Sequence, residues 1–148
     1  MLIMIPAMCS AVEPVIRSDT RTFDPLKGIY NLYGNVFVQL PAHKKLLTIT
    51  ADETMVYLYS MEIHGQGHIS LTYENMNFNC DKVDIYHSNT TAYVSGNLSF
   101  VDGSTRITAD TGSFNWDSKQ AVFYGNVTVN GIKQNKDIIY NVLTKNII

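Results

Sequence analysis

Apolar and polar residues alternate with a period of two along most of this chain, in runs that are separated by Gly, Asn and Asp. Residues 34–38 (Gly-Asn-Val-Phe-Val) and 125–129 (Gly-Asn-Val-Thr-Val) show the pattern most clearly. Such alternation predicts half-buried β-strands, and the residues between the runs favour tight turns. The exception is 137–148, where Ile138, Val142 and Leu143 are compatible with either a short terminal helix or a last strand.

The alternating runs recur at a fixed spacing. A glycine follows fifteen residues after each of four aspartates, in the pairs Asp19 and Gly34, Asp52 and Gly67, Asp81 and Gly96, and Asp110 and Gly125. The last three units begin 29 residues apart, whereas the first is four residues longer because of an insertion around 41–45. A repeat that returns in the same direction contains an even number of strand passes. Because these residues recur once per unit, we predict that they are turn or cap residues rather than catalytic acids.

Composition is that of one globular domain, with 148 residues, of which 45% are hydrophobic and 16% charged. A net charge of −2 argues against a nucleic-acid partner, since such proteins carry a clustered basic surface. Two cysteines, Cys9 and Cys80, are too few for a disulfide framework. The composition therefore fits a single, mildly acidic, all-β domain.

The first residues have the character of an export signal. Residues 1–11 are apolar, end in small residues and precede the first charge at Glu13, although they lack the basic start of a signal peptide. We interpret 1–12 as the remnant of an incomplete signal peptide and 13–148 as one domain of an exported protein.

No arrangement of residues in the sequence points to catalysis. The histidines are scattered, and only His64 and His68 are close enough to suggest a metal pair. No carboxylate or cysteine stands at a matching short spacing, and His68 occupies the position that holds Asn in the other units, so a turn residue is the better interpretation. We expect no enzyme activity, no metal and no cofactor.

The repeated segments resemble the OstA-like family of lipopolysaccharide-transport proteins, the LptA and LptC group. Residues 49–52 (Ile-Thr-Ala-Asp) and 107–110 (Ile-Thr-Ala-Asp) match the end of one strand in that family, and the two Gly-Asn-Val steps at 34–36 and 125–127 match the start of another. The resemblance covers about residues 16–130. Cys80-Asp81 departs from the Ala-Asp form, and residues 67–69 (Gly-His-Ile) depart from Gly-Asn-Val.

This resemblance implies an elongated, half-open twisted β-jellyroll in the periplasm, with about four repeats of roughly 29 residues and antiparallel strands. Its apolar interior would hold the acyl chains of lipopolysaccharide. Protomers would join edge to edge with other OstA-like jellyrolls, or head to tail with copies of this chain, to form a bridge between the two membranes.

The candidate groove residues are the apolar positions at the repeated inward slots. Plain core packing is the competing role for each of them, and the sequence does not separate the two. They are Val36, Val38, Ile49, Ile69, Leu71, Phe78, Ile85, Leu98, Phe100, Ile107, Phe114, Val127 and Val129.

Two other classes of function remain open. A structural β-solenoid that assembles into filaments would show the same repeats. A carbohydrate-binding β protein would need an exposed aromatic face. The candidates for that face are Tyr57, Tyr59, Tyr73, Tyr86, Tyr93, Trp116 and Tyr124.

Overall fold

The computed structural model describes residues 15–148, which form one open antiparallel sheet of 13 strands. The expected signal remnant at 1–12 and Cys9 lie outside the described residues. The strands are β1 (Val15–Arg17), β2 (Thr20–Asp24), β3 (Ile29–Ala42), β4 (Lys45–Tyr57), β5 (Glu62–Tyr73), β6 (Met76–Tyr86), β7 (Thr91–Asp102), β8 (Thr105–Asn115), β9 (Gln120–Tyr124), β10 (Thr128–Val129), β11 (Ile132–Lys133), β12 (Ile138–Asn141) and β13 (Asn146–Ile147). A single 3-10 turn at His87–Asn89 is the remaining element.

The six long strands β3 to β8 form consecutive hairpins, and each strand pairs with the next one along the chain. One repeat therefore contains two long strands, which is the even number that the repeat length required. The all-β class expected from the alternation and the antiparallel strands implied by the family resemblance are both confirmed.

Every long strand pairing changes register once, near the strand middle. The changes lie between Tyr33 and Val36 in the pairing of β3 with β4, and at the corresponding positions of the next four pairings. At each of them a Gly and the polar residue after it oppose a single aspartate on a neighbouring strand. Such a bulge bends the strand that carries it and increases its twist.

The aligned bulges divide the sheet into two leaves. In the first leaf the long strands meet at the turns around 42–45, 73–76 and 102–105, and β1, β10 and β11 complete it. In the second leaf they meet at 57–62, 86–91 and 115–120, and β2, β9, β12 and β13 complete it. The row of bulges is the line along which the two leaves join.

A repeated set of contacts forms this line, which we call the Asp-Gly ladder. In every unit the residue after the glycine hydrogen-bonds the aspartate: Asn35 to Asp19 (2.9 Å), His68 to Asp52 (2.7 Å), Asn97 to Asp81 (2.8 Å) and Asn126 to Asp110 (2.9 Å). Glycine and the polar residue after it both have positive φ, from 76° to 81° and from 45° to 48° respectively. Glycine, Asn and His adopt that conformation more readily than bulky or β-branched residues do.

The ladder differs from the sequence interpretation in one respect. We expected Asp19, Gly34, Asp52, Gly67, Asp81, Gly96, Asp110 and Gly125 at turns between strands. The structure places the inner ones within long strands, and only at the two ends does the ladder coincide with a break, between β1 and β2 and between β9 and β10. The physical reason is that the same positive φ serves a bulge as well as a turn.

The structure shows how two local segments of the sequence, 41–45 and 137–148, fold into hairpins. The insertion at 41–45 lengthens both strands of the β3–β4 hairpin, with a tight turn at 43–44. The alternative of a terminal helix over 137–148 is wrong, because β12 and β13 form a hairpin there. The Asn141 side chain accepts hydrogen bonds from the backbone N–H groups of Leu143 and Thr144, and so stabilises the turn.

The hydrophobic core lies between the two leaves and is rich in aromatic rings. Phe78 on the first leaf lies 6.2 Å from Phe114 and 6.1 Å from Phe123 on the second, measured between ring centroids. Phe100 on the first leaf lies 5.2 Å from Tyr140 on the second. The inner faces of the leaves are therefore packed directly against each other.

The ladder predicts that adding one methyl group at its glycines is destabilising. A Cβ at Gly96 would lie 2.7 Å from Asp81 Oδ2, on a residue with a φ of +80°. We expect Gly96→Ala to lower the free energy of unfolding by about 2–4 kcal/mol, from backbone strain and the lost Asp81 contact. Urea unfolding measures the change.

Gly103→Ala is the matched control, because Gly103 also has a positive φ of +60° but no heavy atom lies within 4 Å of the position that a Cβ would take there. We expect it to lower the free energy of unfolding by about 1 kcal/mol. Equal losses in the two variants would show that the ladder contact contributes nothing beyond the backbone conformation.

Candidate functional site

The candidate groove residues from the sequence lie together on the inner faces of the two leaves. Val129, on the short strand β10, is half-buried and packs against the core. The others are between 0% and 2% exposed: Val36, Val38, Ile49, Ile69, Leu71, Phe78, Ile85, Leu98, Phe100, Ile107, Phe114 and Val127. The structure brings them into one continuous apolar interior.

Most of these residues belong to the first leaf. The repeat pattern in the sequence did not reveal most of the buried residues of the second leaf. The missed residues are Leu32, Val56, Ile63, Val83, Ala92, Val94, Ala121, Phe123, Ile138 and Tyr140, each between 0% and 3% exposed. The reason is that the alternation of buried and exposed positions shifts by one residue at each aspartate. In β4, for example, the buried positions run 47, 49 and 51 before Asp52 and then 54 and 56 after it. The same shift occurs at Asp81 and Asp110. Counting onward by two from each aspartate would have found Val56 and Val83, and counting back by two from each ladder glycine would have found residues such as Leu32, Val94 and Phe123.

The margins of the two leaves opposite the ladder are joined by polar contacts, and we call this side the mouth. Lys119 Nζ, on the second leaf, donates to the Tyr73 hydroxyl on the first leaf at 2.7 Å. His43 Nε2, at the β3–β4 turn, lies 2.9 Å from Asp117 Oδ1 at the β8–β9 turn. The contact between His43 and Asp117 is exposed to solvent, so we expect it to contribute little to stability.

A buried carboxylate makes a further contact across the mouth. The Asp102 side chain is 1% exposed and lies at the end of β7. It accepts a hydrogen bond of 2.8 Å from the Tyr140 hydroxyl and one of 3.0 Å from Lys145 Nζ, both on the β12–β13 hairpin. Burial, and then the hydrogen bond to Asp102, raise the pKa of Tyr140 to about 12. Asp102 therefore fixes the C-terminal hairpin over the first leaf.

Two residues that depart from the repeat pattern, His68 and Cys80, place a titratable side chain at or beside the ladder. The hydrogen bond to Asp52 raises the pKa of His68 above its ordinary value, while the ring stays exposed to solvent. Burial raises the pKa of the Cys80 thiol to about 11, so this cysteine stays protonated at neutral pH and is a poor nucleophile. Neither departure changes the geometry of the ladder, since His68 bonds its aspartate as the asparagines do.

The suggested pairing of His64 with His68 has no support in the geometry. His64 lies on the outer face of the second leaf, with Nδ1 2.7 Å from Asp84 and Nε2 3.4 Å from Glu62, whereas His68 bonds Asp52 on the ladder. Within residues 15–148 there is no group of three or more His, Cys, Asp or Glu side chains placed to hold a metal ion. The same residues contain no helix of the length and apolar character needed to cross a membrane.

The aromatic residues considered for a carbohydrate surface divide between the two sides of the sheet. Tyr73 and Trp116 are 1% exposed and belong to the core. On the outer face of the second leaf, Tyr57, Tyr86 and Tyr93 form a row with His64, in edge-to-face contacts of 5.4–5.9 Å between ring centroids. Such spacing is that of ordinary cross-strand packing on an exposed sheet face.

No protein-family profile and no curated protein matches the sequence. Among solved structures, the chain is similar to LptH of Pseudomonas aeruginosa, which is described as the LptA-homologous periplasmic component of the lipopolysaccharide transport device. The TM-score is 0.62, and the match covers 92% of this chain and 94% of that one. The chain has an LptA-like fold. Only 7% of the aligned residues are identical, so the similarity lies in the path of the LptA-like sheet rather than in shared side chains.

The buried contact at Asp102 predicts a pH-dependent contribution from Tyr140. The raised pKa means that the folded state holds the Tyr140 proton more tightly than the unfolded state. Its contribution is therefore complete below about pH 10 and is lost as the pH rises towards 12. We expect Tyr140→Phe to lower the free energy of unfolding by about 1–2 kcal/mol at pH 7, with a smaller difference from wild type above pH 10.

Urea unfolding at several pH values between about 7 and 11.5 measures this dependence. Tyr59→Phe is the control, since the Tyr59 side chain is exposed and its hydroxyl bonds only the Pro25 carbonyl at the surface. A Tyr140→Phe difference that stays constant with pH would contradict the role of the hydroxyl at Asp102.

Proposed function

We propose that this protein is a non-enzymatic periplasmic carrier or bridge component that binds lipopolysaccharide during its transport to the outer membrane. The observation that carries the proposal is the continuous apolar interior between the two leaves of an open, LptA-like sheet. The name of the similar LptH structure supports the periplasmic assignment. In this proposal residues 13–148 are the working domain, and residues 1–12 belong to the export signal.

The physical basis is the burial of acyl chains. Binding of each acyl chain is stabilised by roughly 25 cal/mol for every Å² of apolar surface that leaves water. A long apolar interior therefore binds lipid without any catalytic group. The interior is filled by its own aromatic side chains, with Phe78 and Phe100 4.8 Å apart. Lipid therefore replaces contacts between the leaves, and the leaves separate at the mouth, where Lys119 and Tyr73 are joined by a single hydrogen bond.

The ends of the sheet support the bridge part of the proposal. At one end the edge strands are β1 and β2, and at the other they are β11 and β13. Each presents an exposed apolar side chain: Val15, Phe23, Ile132 and Ile147 are 41–68% exposed. Unpaired strand edges of this kind bind another strand by main-chain hydrogen bonds. We propose that this chain joins other jellyrolls, or copies of itself, through these edges.

The lipid proposal predicts which positions contact lipopolysaccharide. We expect a photo-crosslinking amino acid at Phe100 or Phe114 to capture lipopolysaccharide in cells, because both side chains are fully buried between the leaves. The control position is Tyr93, which is 46% exposed on the outer face of the second leaf. Immunoblotting with an anti-lipopolysaccharide serum detects the adduct.

Capture at Phe100 or Phe114 but not at Tyr93 supports the carrier. Failure at both inner positions, with lipid-free protein recovered in good yield, would overturn it. Filament formation without any captured lipid would favour the β-solenoid, and binding to a lipid-free glycan that is lost in Tyr93→Ala would favour the carbohydrate-binding alternative.

The edge proposal predicts that one charge at a strand edge weakens self-association. We expect Ile132→Glu to shift any concentration-dependent oligomer towards monomer, with at least about a tenfold rise in the dissociation constant, because a buried carboxylate in the new sheet would be unpaired. Sedimentation velocity over a concentration series measures the shift. Met55→Glu is the control, since Met55 is 37% exposed on β4, an inner strand that is paired on both sides. An equal effect of both substitutions would contradict association through the edges.

A further inference from the structure

The Thr54 hydroxyl differs from the other polar groups of the interior. Three polar residues are buried among the described residues: Thr54, Thr91 and Asp102. The Thr91 hydroxyl donates to the Asn89 carbonyl at 2.8 Å, and Asp102 is bonded by Tyr140 and Lys145. Thr54 is 2% exposed, and its hydroxyl has no hydrogen-bond partner within residues 15–148. A buried hydroxyl without a partner is rare in folded proteins, because desolvation is uncompensated.

The position of Thr54 in the repeat shows that its hydroxyl is not needed for the fold. Thr54 stands two residues after the ladder residue Asp52, on the inner face of the second leaf. The same inner position holds Val83 in the next unit and Gly112 in the one after. Valine has nearly the shape of threonine, so an apolar residue would fill the site equally well.

The surroundings of the hydroxyl are apolar and belong to the interior. Thr54 pairs with Leu32 on β3 and with Gly65 on β5. A Cβ at Gly65 would lie 3.5 Å from Thr54 Oγ1, 3.1 Å from Val83 and 3.2 Å from Ile69. Because Gly65 has no side chain, the space between the hydroxyl and the apolar side chains of Val83 and Ile69 is bordered on that side by backbone alone.

We propose that the Thr54 hydroxyl is a hydrogen-bonding subsite for the carbonyl oxygen of an ester or amide at the head of an acyl chain. The inference rests on the proposed lipid-binding function and gives the interior one polar contact with the ligand. An acyl chain is apolar except at this carbonyl, which is an acceptor, and a threonine hydroxyl is a donor. The unpaired hydroxyl thus obtains its partner only when lipid is bound.

The test uses two probes of equal chain length, a long-chain methyl ester and the corresponding alkane, each displacing a fluorescent fatty-acyl probe from the purified protein. In Thr54→Val we expect the ester to bind about 3- to 10-fold more weakly, with alkane affinity unchanged. Thr54→Ser keeps the hydroxyl and should keep the preference for the ester.

A second measurement separates this role from a structural one. Without lipid, Thr54→Val removes an unpaired buried hydroxyl, so its melting temperature should rise by about 2–5 °C. Thr91→Val is the matched control: its hydroxyl is already bonded, so its melting temperature should fall and the ratio of ester to alkane affinity should stay the same.

The outcomes distinguish a failure of the Thr54 subsite from a failure of the proposed lipid-binding function. Equal ester affinity in wild type and Thr54→Val, or an equal loss for ester and alkane, overturns the subsite while the carrier proposal stands. A lower melting temperature for lipid-free Thr54→Val also overturns it, since the hydroxyl would then have a structural partner. If wild type binds neither probe nor lipopolysaccharide, both proposals are overturned.

Discussion

The contact between each repeated aspartate and a glycine of the neighbouring strand is the constraint on which the rest of this sheet depends. The aspartate oxygen occupies the place where a Cβ would otherwise stand, since a Cβ at any of the four ladder glycines would lie 2.5–2.7 Å from it. Each carboxylate also accepts a hydrogen bond from the residue after the glycine, as Asn97 shows with Asp81. Steric fit and hydrogen bonding thus select the same backbone conformation in every unit.

The shape of the molecule follows from repeating this contact. One bulge bends one strand, but bulges aligned across consecutive strands bend the whole sheet along one line. The sheet then covers its own apolar face, and Phe78 on one leaf packs against Phe114 on the other. A single sheet therefore builds a two-layered core, and within residues 15–148 it does not close into a barrel and its edges stay open at both ends.

The same architecture makes a filled interior compatible with the proposed lipid binding. The ladder holds one side of the two leaves together by main-chain pairing, whereas the mouth is held by side chains such as Lys119 and Asp102. Separation of the leaves at the mouth leaves the strand pairing intact. Under the proposed function, acyl chains would replace aromatic contacts of similar character, and the exchange would need no chemical step.

The sequence by itself determined the local structure. Alternation and the spacing of Asp19 and Gly34, repeated three times, predicted an all-β repeat with an even number of strands in each unit, because these signals arise from neighbours along the chain. They also placed the first-leaf residues, such as Val36 and Phe100, in the interior. The second-leaf residue Val83 was missed, since the phase of burial changes at Asp81, where the register of the strand pairing shifts.

Only the tertiary structure decided which surfaces meet. Tyr73 and Tyr93 look alike in the sequence, yet one is 1% exposed in the core and the other 46% exposed on the outer face. The buried contact of Asp102 with Tyr140 joins residues that are 38 positions apart in the chain. The Thr54 hydroxyl is recognised as unpaired only when its neighbours in the folded sheet are known. The physical reason is that burial and hydrogen-bond partners depend on the folded sheet, whereas strand formation depends on the local pattern of residues.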